Sequence, residues 1–282
     1  MKYIITGAEG LIGGFLKRRL NEEGHEAVLE IDNRKGSNVL NINSLRLNPK
    51  TQQADIMYHL AAQCKINEAI EHPDLPHKNN ADGTHEVLEF CRKNNIPKIM
   101  FFSSSRVLSD EENPYTASKK YGEHLCRAYT DCYGLEHIIV RPSTVYGPVH
   151  DVTSRLMTDW CQAALKDEEL PLYGDHHKTL DFTHVDDFVG AVMLLTEKWD
   201  EAKNKAYNIS GAAETNLLSL GRMITDIAGG GHIKMHEPET AQPQQVKLDI
   251  SDIQALGYTP GRGIISGVKE MLEFYRSRNG NN

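Results

Sequence analysis

Tyr115 and Lys119 stand four residues apart in the stretch Pro-Tyr-Thr-Ala-Ser-Lys, residues 114–119. On an α-helix that spacing puts both side chains on one face. A free phenol has a pKa near ~10 and is a poor base at neutral pH. A nearby ammonium stabilises the phenolate and lowers that value. Upstream, Ser103, Ser104 and Ser105 close an apolar run, and a serine hydroxyl at a strand end can hydrogen-bond the same substrate oxygen as the phenol. Removing hydride from an alcohol carbon needs such a set, because a base must take the O–H proton as the hydride leaves. The pair alone is a weak signal. Of the 11 tyrosines, however, only Tyr115 has lysine at that offset.

A hydride needs an acceptor, and the N-terminus supplies a place for one. Thr-Gly-Ala-Glu-Gly-Leu-Ile-Gly-Gly, residues 6–14, puts glycines at 7, 10 and 13, directly after a β-like run and opening a helical one. Gly7 permits the tight turn, Gly10 lets the backbone approach a pyrophosphate, and Gly13 allows close helix–sheet packing. The helix N-terminus then turns free N–H groups to the phosphates. Asp32 ends the next β-like run and suits a ribose 2′-hydroxyl. A carboxylate there repels a 2′-phosphate, so NAD is favoured over NADP, although Arg34 and Lys35 keep the second cofactor in play.

These residues need a scaffold, and the hydrophobic pattern predicts one. Residues 2–6, 26–32, 54–62, 98–103 and 135–142 read as strands, with helical spacing over 11–24, near 80–94 and after Pro114. Strands this apolar, separated by helices, indicate a parallel sheet covered on both faces. The expected fold is α/β, a Rossmann-type doubly wound parallel sheet with a smaller interleaved C-terminal α/β substrate lobe. The dinucleotide-binding domain is expected over residues 1–150, with 180–210 returning to it. The lobe takes most of 151–282, and the RSRNGNN tail is expected to fray. The carboxyl ends of the strands, where the serines sit, are where such sheets bind ligands.

The composition of the 282 residues, 39% hydrophobic and 25% charged, is that of a globular protein. The net charge of −8 argues against a nucleic-acid partner, which calls for a basic stripe. No apolar run approaches the ~18–20 residues of a membrane span, and MKYIITGAEG lacks the basic start of a signal peptide, so a cytoplasmic protein is expected. Five scattered cysteines form no CxxC pair, and the adjacent His176 and His177 lie in a Gly-Asp loop that reads as solvated. No metal site is expected.

Taken together, the motifs resemble the extended short-chain dehydrogenase/reductase family, in its NAD-dependent sugar epimerase/dehydratase branch. TGAEGLIG, HLAAQ (59–63), NADGTHEVLEFC (80–91), FFSSSRV, PYTASK, RPSTVYGP (141–148), LYGDHHKTLDFTHVDD (172–187), AYNISG (206–211) and LGYTP (256–260) follow in the family's order. The resemblance implies Ser104, Tyr115 and Lys119 as the catalytic set. It implies cofactor contacts at Gly7, Gly10, Leu11, Ile12, Gly13, Asp32, Asn33, Asn41, Ile42, Leu60, Ala61, Ala62, Gln63, Asn80 and Pro142, as well as Tyr115 and Lys119. Substrate contacts fall on Ser105, Arg106, Thr144 and Arg155. The implied activity is epimerisation of a nucleotide-linked sugar by transient oxidation and hydride return. A dehydratase, decarboxylase or reductase of the branch and an NAD-binding regulatory protein without turnover are the alternatives. A homodimer through the Tyr–Lys helix is also implied, with Leu125, Tyr129 and Cys132 as its apolar contacts. Several positions depart from the family pattern. Ser105-Arg106 replaces the Asp-Glu that dehydratases use as acid and base. Leu180 and Gln244-Gln245 replace arginines that hold the diphosphate, with Arg155, Lys178 or Lys247 as substitutes. The four-residue connection DEEN predicts a more open mouth.

Overall fold

The structure, a computed structural model, describes residues 1–45, 53–149, 155–238 and 248–279. Its main sheet holds β1 (Lys2–Thr6), β2 (Glu26–Ile31), β3 (Ile56–His59), β4 (Lys98–Phe102), β5 (Glu136–Pro142) and, from far along the chain, Lys205–Ile209. All neighbours are parallel, in the order β2-β1-β3-β4-β5 and then the 205–209 strand. The order reverses between β1 and β3, which opens a crevice at the carboxyl ends of these strands.

Both faces of the central strands are buried, for a reason the period-two pattern dictates. Tyr3, Ile5, Tyr58, Met100 and Phe102 point into one core, shared with α1 (Leu11–Glu22). Their alternates Ile4, Met57, Ile99 and Phe101 point into the other. That second core is covered by α2 (Gly83–Lys93) and α3 (Pro114–Tyr133).

The start and end of α3 are set by its sequence. Asn113 accepts the Thr116 N–H at 2.9 Å, Pro114 fills the first turn, and Gly134 closes the helix at φ 72°. This is a side-chain N-cap followed by a left-handed glycine C-cap. Tyr115 and Lys119 are thereby held in the first two turns, beside the end of β4.

After β5 the chain forms two smaller sheets. β6 (Thr144–Tyr146) runs parallel to Thr179–His184, which pairs antiparallel with Glu214–Asn216. Glu169–Tyr173 pairs with His232–His236 in the other. They pack with the helices Leu156–Leu165, Leu217–Ala228 and Ile264–Asn279 around a third core. Of the tail expected to fray, residues 276–279 are helical, and 280–282 lie outside the described residues. Arg276 donates to the carbonyls of Ile227 and Ala228 at a neighbouring helix end and ties the last turns down. Among the described residues, no helix is long and apolar enough to cross a membrane.

One close approach fixes how α3 lies on the sheet. A Cβ added at Gly122 would come within 2.4 Å of Phe101 Cζ, a rigid ring of β4. Alanine gains about 1 kcal/mol of helix propensity over glycine, whereas overpacking costs about 1–3 kcal/mol. Gly122→Ala is therefore expected to lower stability by up to about 2 kcal/mol in urea unfolding. A raised midpoint would show that Phe101 moves aside at less cost than the propensity gained.

Candidate active site

A cleft of about 550 Å³ runs along the carboxyl ends of the strands into the second lobe. Its floor at the β1 end is the glycine turn. Gly7 has φ 72°, and a Cβ there would stand 2.8 Å from Ala61 N. A Cβ on Gly13 would stand 2.1 Å from Gly7 O, so only glycine fits between helix and turn. Gly10 is the N-cap of α1, no side chain caps that end, and no acidic residue lies in its first turn. The leading N–H groups therefore remain open to an anion, as a dinucleotide pyrophosphate requires.

Asp32 lines the cleft with Asn33. Its carboxylate accepts the N–H of Arg34 and that of Glu9, each at 2.9 Å. Leu60, Ala61, Ala62 and Gln63 form the turn after β3 and also line the cleft. That turn is braced from below. The Thr6 hydroxyl meets Ala61 N at 3.1 Å and His59 Nδ1 at 2.8 Å, and His59 Nε2 meets Thr84 Oγ1 at 3.1 Å. Burial, and then the nearby Lys119 charge, push His59 down to about 3, so it is neutral here.

Ser104, Tyr115 and Lys119 converge at the end of β4, and all three line the cleft. The Ser104 hydroxyl lies close enough to the Tyr115 phenol to favour its ionised form. Burial raises the phenol to about 12; the Ser104 hydroxyl opposes this, Cys64 adds to it, and Arg106 and Arg155 draw it down. This differs from the expectation of a phenol depressed by Lys119. The lysine donates to Phe102 O at 2.8 Å and lies over the Phe101 ring at 5.2 Å, so its charge is directed to the strand. Burial holds Lys119 down at about 8, against the opposing pull of Cys64, Cys126 and Glu123.

Beneath this trio is a buried ionic clamp. Glu123, one turn beyond Lys119, accepts from Ser103 Oγ at 2.7 Å, from Arg141 Nε and Nη2 at 2.8 and 2.6 Å, and from Arg127 at 3.0 Å. Its side chain is 5% exposed. It joins β4, β5 and α3 at one point.

Leu11, Ile12, Pro142, Thr144 and Arg155 also line the cleft. Five residues expected at the site lie elsewhere. The 3₁₀ turn Val39–Ser44, capped by Asn38, turns Asn41 to solvent and buries Ile42, so Asn38 and Val39 meet the cleft in their place. Asn80 is 2% exposed and acts as a bridge instead. It accepts from Gln63 N at 2.7 Å and donates to Gln63 O and to Ser118 Oγ at 3.0 and 2.9 Å, tying the β3 turn to α3. Ser105 is buried in the 3₁₀ turn Ser105–Leu108 that Ser104 caps, and Arg106 acts on the phenol without lining the cleft. Leu180 belongs to the third core, and Lys178 is buried off the cleft. Gln244, Gln245 and Lys247 lie outside the described residues. On α3, Tyr129 is buried with its hydroxyl on Glu89 and Leu125 packs against the second core, while Cys132 is exposed.

Sequence reasoning passed over Cys64 and Lys65, which line the cleft just past HLAAQ, and Leu156–Thr158, which line it from the lobe. The adjacency of 64 and 65 to Gln63 was the available signal. Away from the cleft, His184, Asp186 and Glu270 cluster, with Arg262 bonded to both carboxylates. Asp175, His176 and His177 form an exposed cluster.

Comparison with known proteins agrees with this geometry. The profile of the NAD dependent epimerase/dehydratase family matches residues 3–210. A Methanocaldococcus jannaschii protein provisionally named UDP-glucose 4-epimerase is 28% identical over 98% of the chain and 99% of its own length. A UDP-glucose 4-epimerase from Thermotoga maritima, solved with UDP-glucose, has a TM-score of 0.90, covers 99% of this chain and 100% of its own, and at 22% identity speaks to the fold alone. The UDP-glucuronic acid 4-epimerase of Bacillus cereus, solved with UDP-glucuronic acid and NAD, is 26% identical, with a TM-score of 0.86 and 99% and 100% coverage.

The low Lys119 value gives a linkage with a definite sign. Its ordinary value is 10.5, so between pH 8 and 10.5 the folded chain binds fewer protons at this site than the unfolded one. Stability then rises with pH across that window. Relative to Lys119→Met, the cofactor-free wild type is expected to gain about 2 kcal/mol between pH ~7.5 and ~9.5 in urea unfolding. Parallel pH profiles for the two proteins would contradict a buried, depressed ammonium.

Proposed function

As the chain belongs to the NAD dependent epimerase/dehydratase family, we propose that it is an NAD-dependent epimerase of a nucleotide-linked sugar. The observation that carries this reading is the Ser104–Tyr115 contact inside a cleft whose other end is built for a dinucleotide. NAD held on the α1 N-terminus and Asp32 supplies a reversible hydride store. Tyr115 takes the proton of the sugar hydroxyl and returns it after inversion. Ser104 holds the same oxygen and favours the phenolate. Lys119, fixed on the Phe102 carbonyl, holds the cofactor ribose and contributes positive charge when protonated. The cleft continues past Thr144 and Arg155, which gives the sugar and its diphosphate a place beyond the hydride site.

The residues after Ser104 favour epimerisation over elimination. Loss of water needs an acid and a base beside the keto sugar. Here the two positions are a buried serine and an arginine, neither suited to that work at neutral pH. The keto sugar is left free to turn and be reduced from its other face.

Proton NMR in heavy water with UDP-, dTDP-, GDP- and CDP-sugars tests this. The expected product is an epimerised sugar with no solvent deuterium at the inverted carbon. Tyr115→Phe is expected to slow its formation by about a hundredfold or more, with NAD still bound. A new methyl signal carrying deuterium would mean dehydration. No change with any donor, from folded and NAD-loaded protein, would contradict the proposed activity.

A further inference from the structure

The ribose end of the cleft carries an unexplained charge pattern. Arg34, which lines the cleft, and Lys35 follow Asp32 after Asn33, and Lys17 of α1 reaches the same carboxylate as Lys35. Three cations beside a ribose pocket would ordinarily invite a 2′-phosphate. Two carboxylates, Glu9 within the glycine motif and Glu30 on β2, counter two of them. Lys17 Nζ lies 3.1 Å from Glu9 Oε1 and 3.1 Å from Glu30 Oε2. Lys35 Nζ lies 2.8 Å from Glu9 Oε1 and 2.9 Å from Glu30 Oε2. The four charges close a ring. The ring touches the ribose site through Glu9, whose N–H donates to Asp32 Oδ2 at 2.9 Å and whose carbonyl accepts from Arg34.

We propose that Glu9 and Glu30 are cofactor-specificity residues: they hold Lys17 and Lys35 in a neutral ring, away from the phosphate that distinguishes NADP from NAD. Asp32 repels that phosphate directly, and the ring withholds the cations that would offset the repulsion. The side chains are between 22% and 47% exposed, so the ring is partly shielded from solvent and survives moderate salt. The bonds to Glu9 and then Glu30 raise Lys35 well above its ordinary value, so it stays charged throughout the neutral range. Loss of the carboxylates would therefore release full positive charges.

The test reads binding alone and does not depend on the sugar substrate. Cofactor-stripped full-length protein is titrated with NADH and with NADPH, followed by nicotinamide fluorescence. In Glu9→Gln/Glu30→Gln, with Asp32 intact, the affinity ratio is expected to move toward NADPH by about tenfold, and by less as salt is added. Each single variant should move it part of the way, which keeps the test open if the double variant does not fold. Adding Lys35→Gln to the double variant should take back most of the change. An unchanged ratio in folded variants, or a shift that Lys35→Gln does not reverse, would overturn the proposal.

Discussion

The arrangement at the end of β4 depends on one buried ion pair. Glu123 receives two hydrogen bonds from Arg141 on β5 and one from Ser103 at the edge of β4, while its own backbone belongs to α3. A buried charge is costly unless paired and fully hydrogen-bonded, so this carboxylate holds all three elements in one arrangement. Ser104 follows Ser103 directly, and Lys119 lies one turn before Glu123. Movement of the helix against the sheet would break the clamp and leave a buried carboxylate unpaired. Gly122 and the Phe101 ring set the same spacing by contact.

Around that clamp the cleft is assembled from groups already satisfied by the protein. Thr6, His59 and Thr84 support the β3 turn, Asn80 ties it to α3, and Asp32 is held by two backbone N–H groups. Preorganisation of this kind leaves few groups to reorder when a ligand arrives. The reactive groups, by contrast, are displaced from their ordinary values. Tyr115 is raised and Lys119 lowered, chiefly because both are buried. A buried phenol and a buried ammonium both resist charge, and the cationic nicotinamide ring of bound NAD would shift the balance toward phenolate.

Much of the fold was legible in the sequence. The apolar runs at 2–6, 26–32, 98–103 and 135–142 read as strands of a parallel sheet covered on both faces, and Pro114 marked the start of α3. The glycines at 7, 10 and 13 read correctly as a strand–turn–helix because each answers a local steric demand. The expected residues that do not line the cleft depend on tertiary detail. A one-turn 3₁₀ helix decides whether Asn38 or Asn41 meets the cleft, and motif spacing does not distinguish them. The motif around Asn80 points to the cofactor, whereas its partners Gln63 and Ser118 come from distant segments that motif spacing does not reveal. The direction of the phenol shift depends on burial and on where the lysine ammonium settles. Neither follows from an i,i+4 spacing.

The Glu123 clamp holds the groups proposed for hydride transfer in register. The most direct measurement is the single-turnover rate at which reduced nicotinamide forms when NAD-loaded protein is rapidly mixed with the sugar donor it turns over. In Glu123→Gln a fall on the order of a hundredfold is expected in protein saturated with NAD, because small displacements of reacting groups are that costly. A wild-type rate from folded, NAD-loaded Glu123→Gln would contradict it.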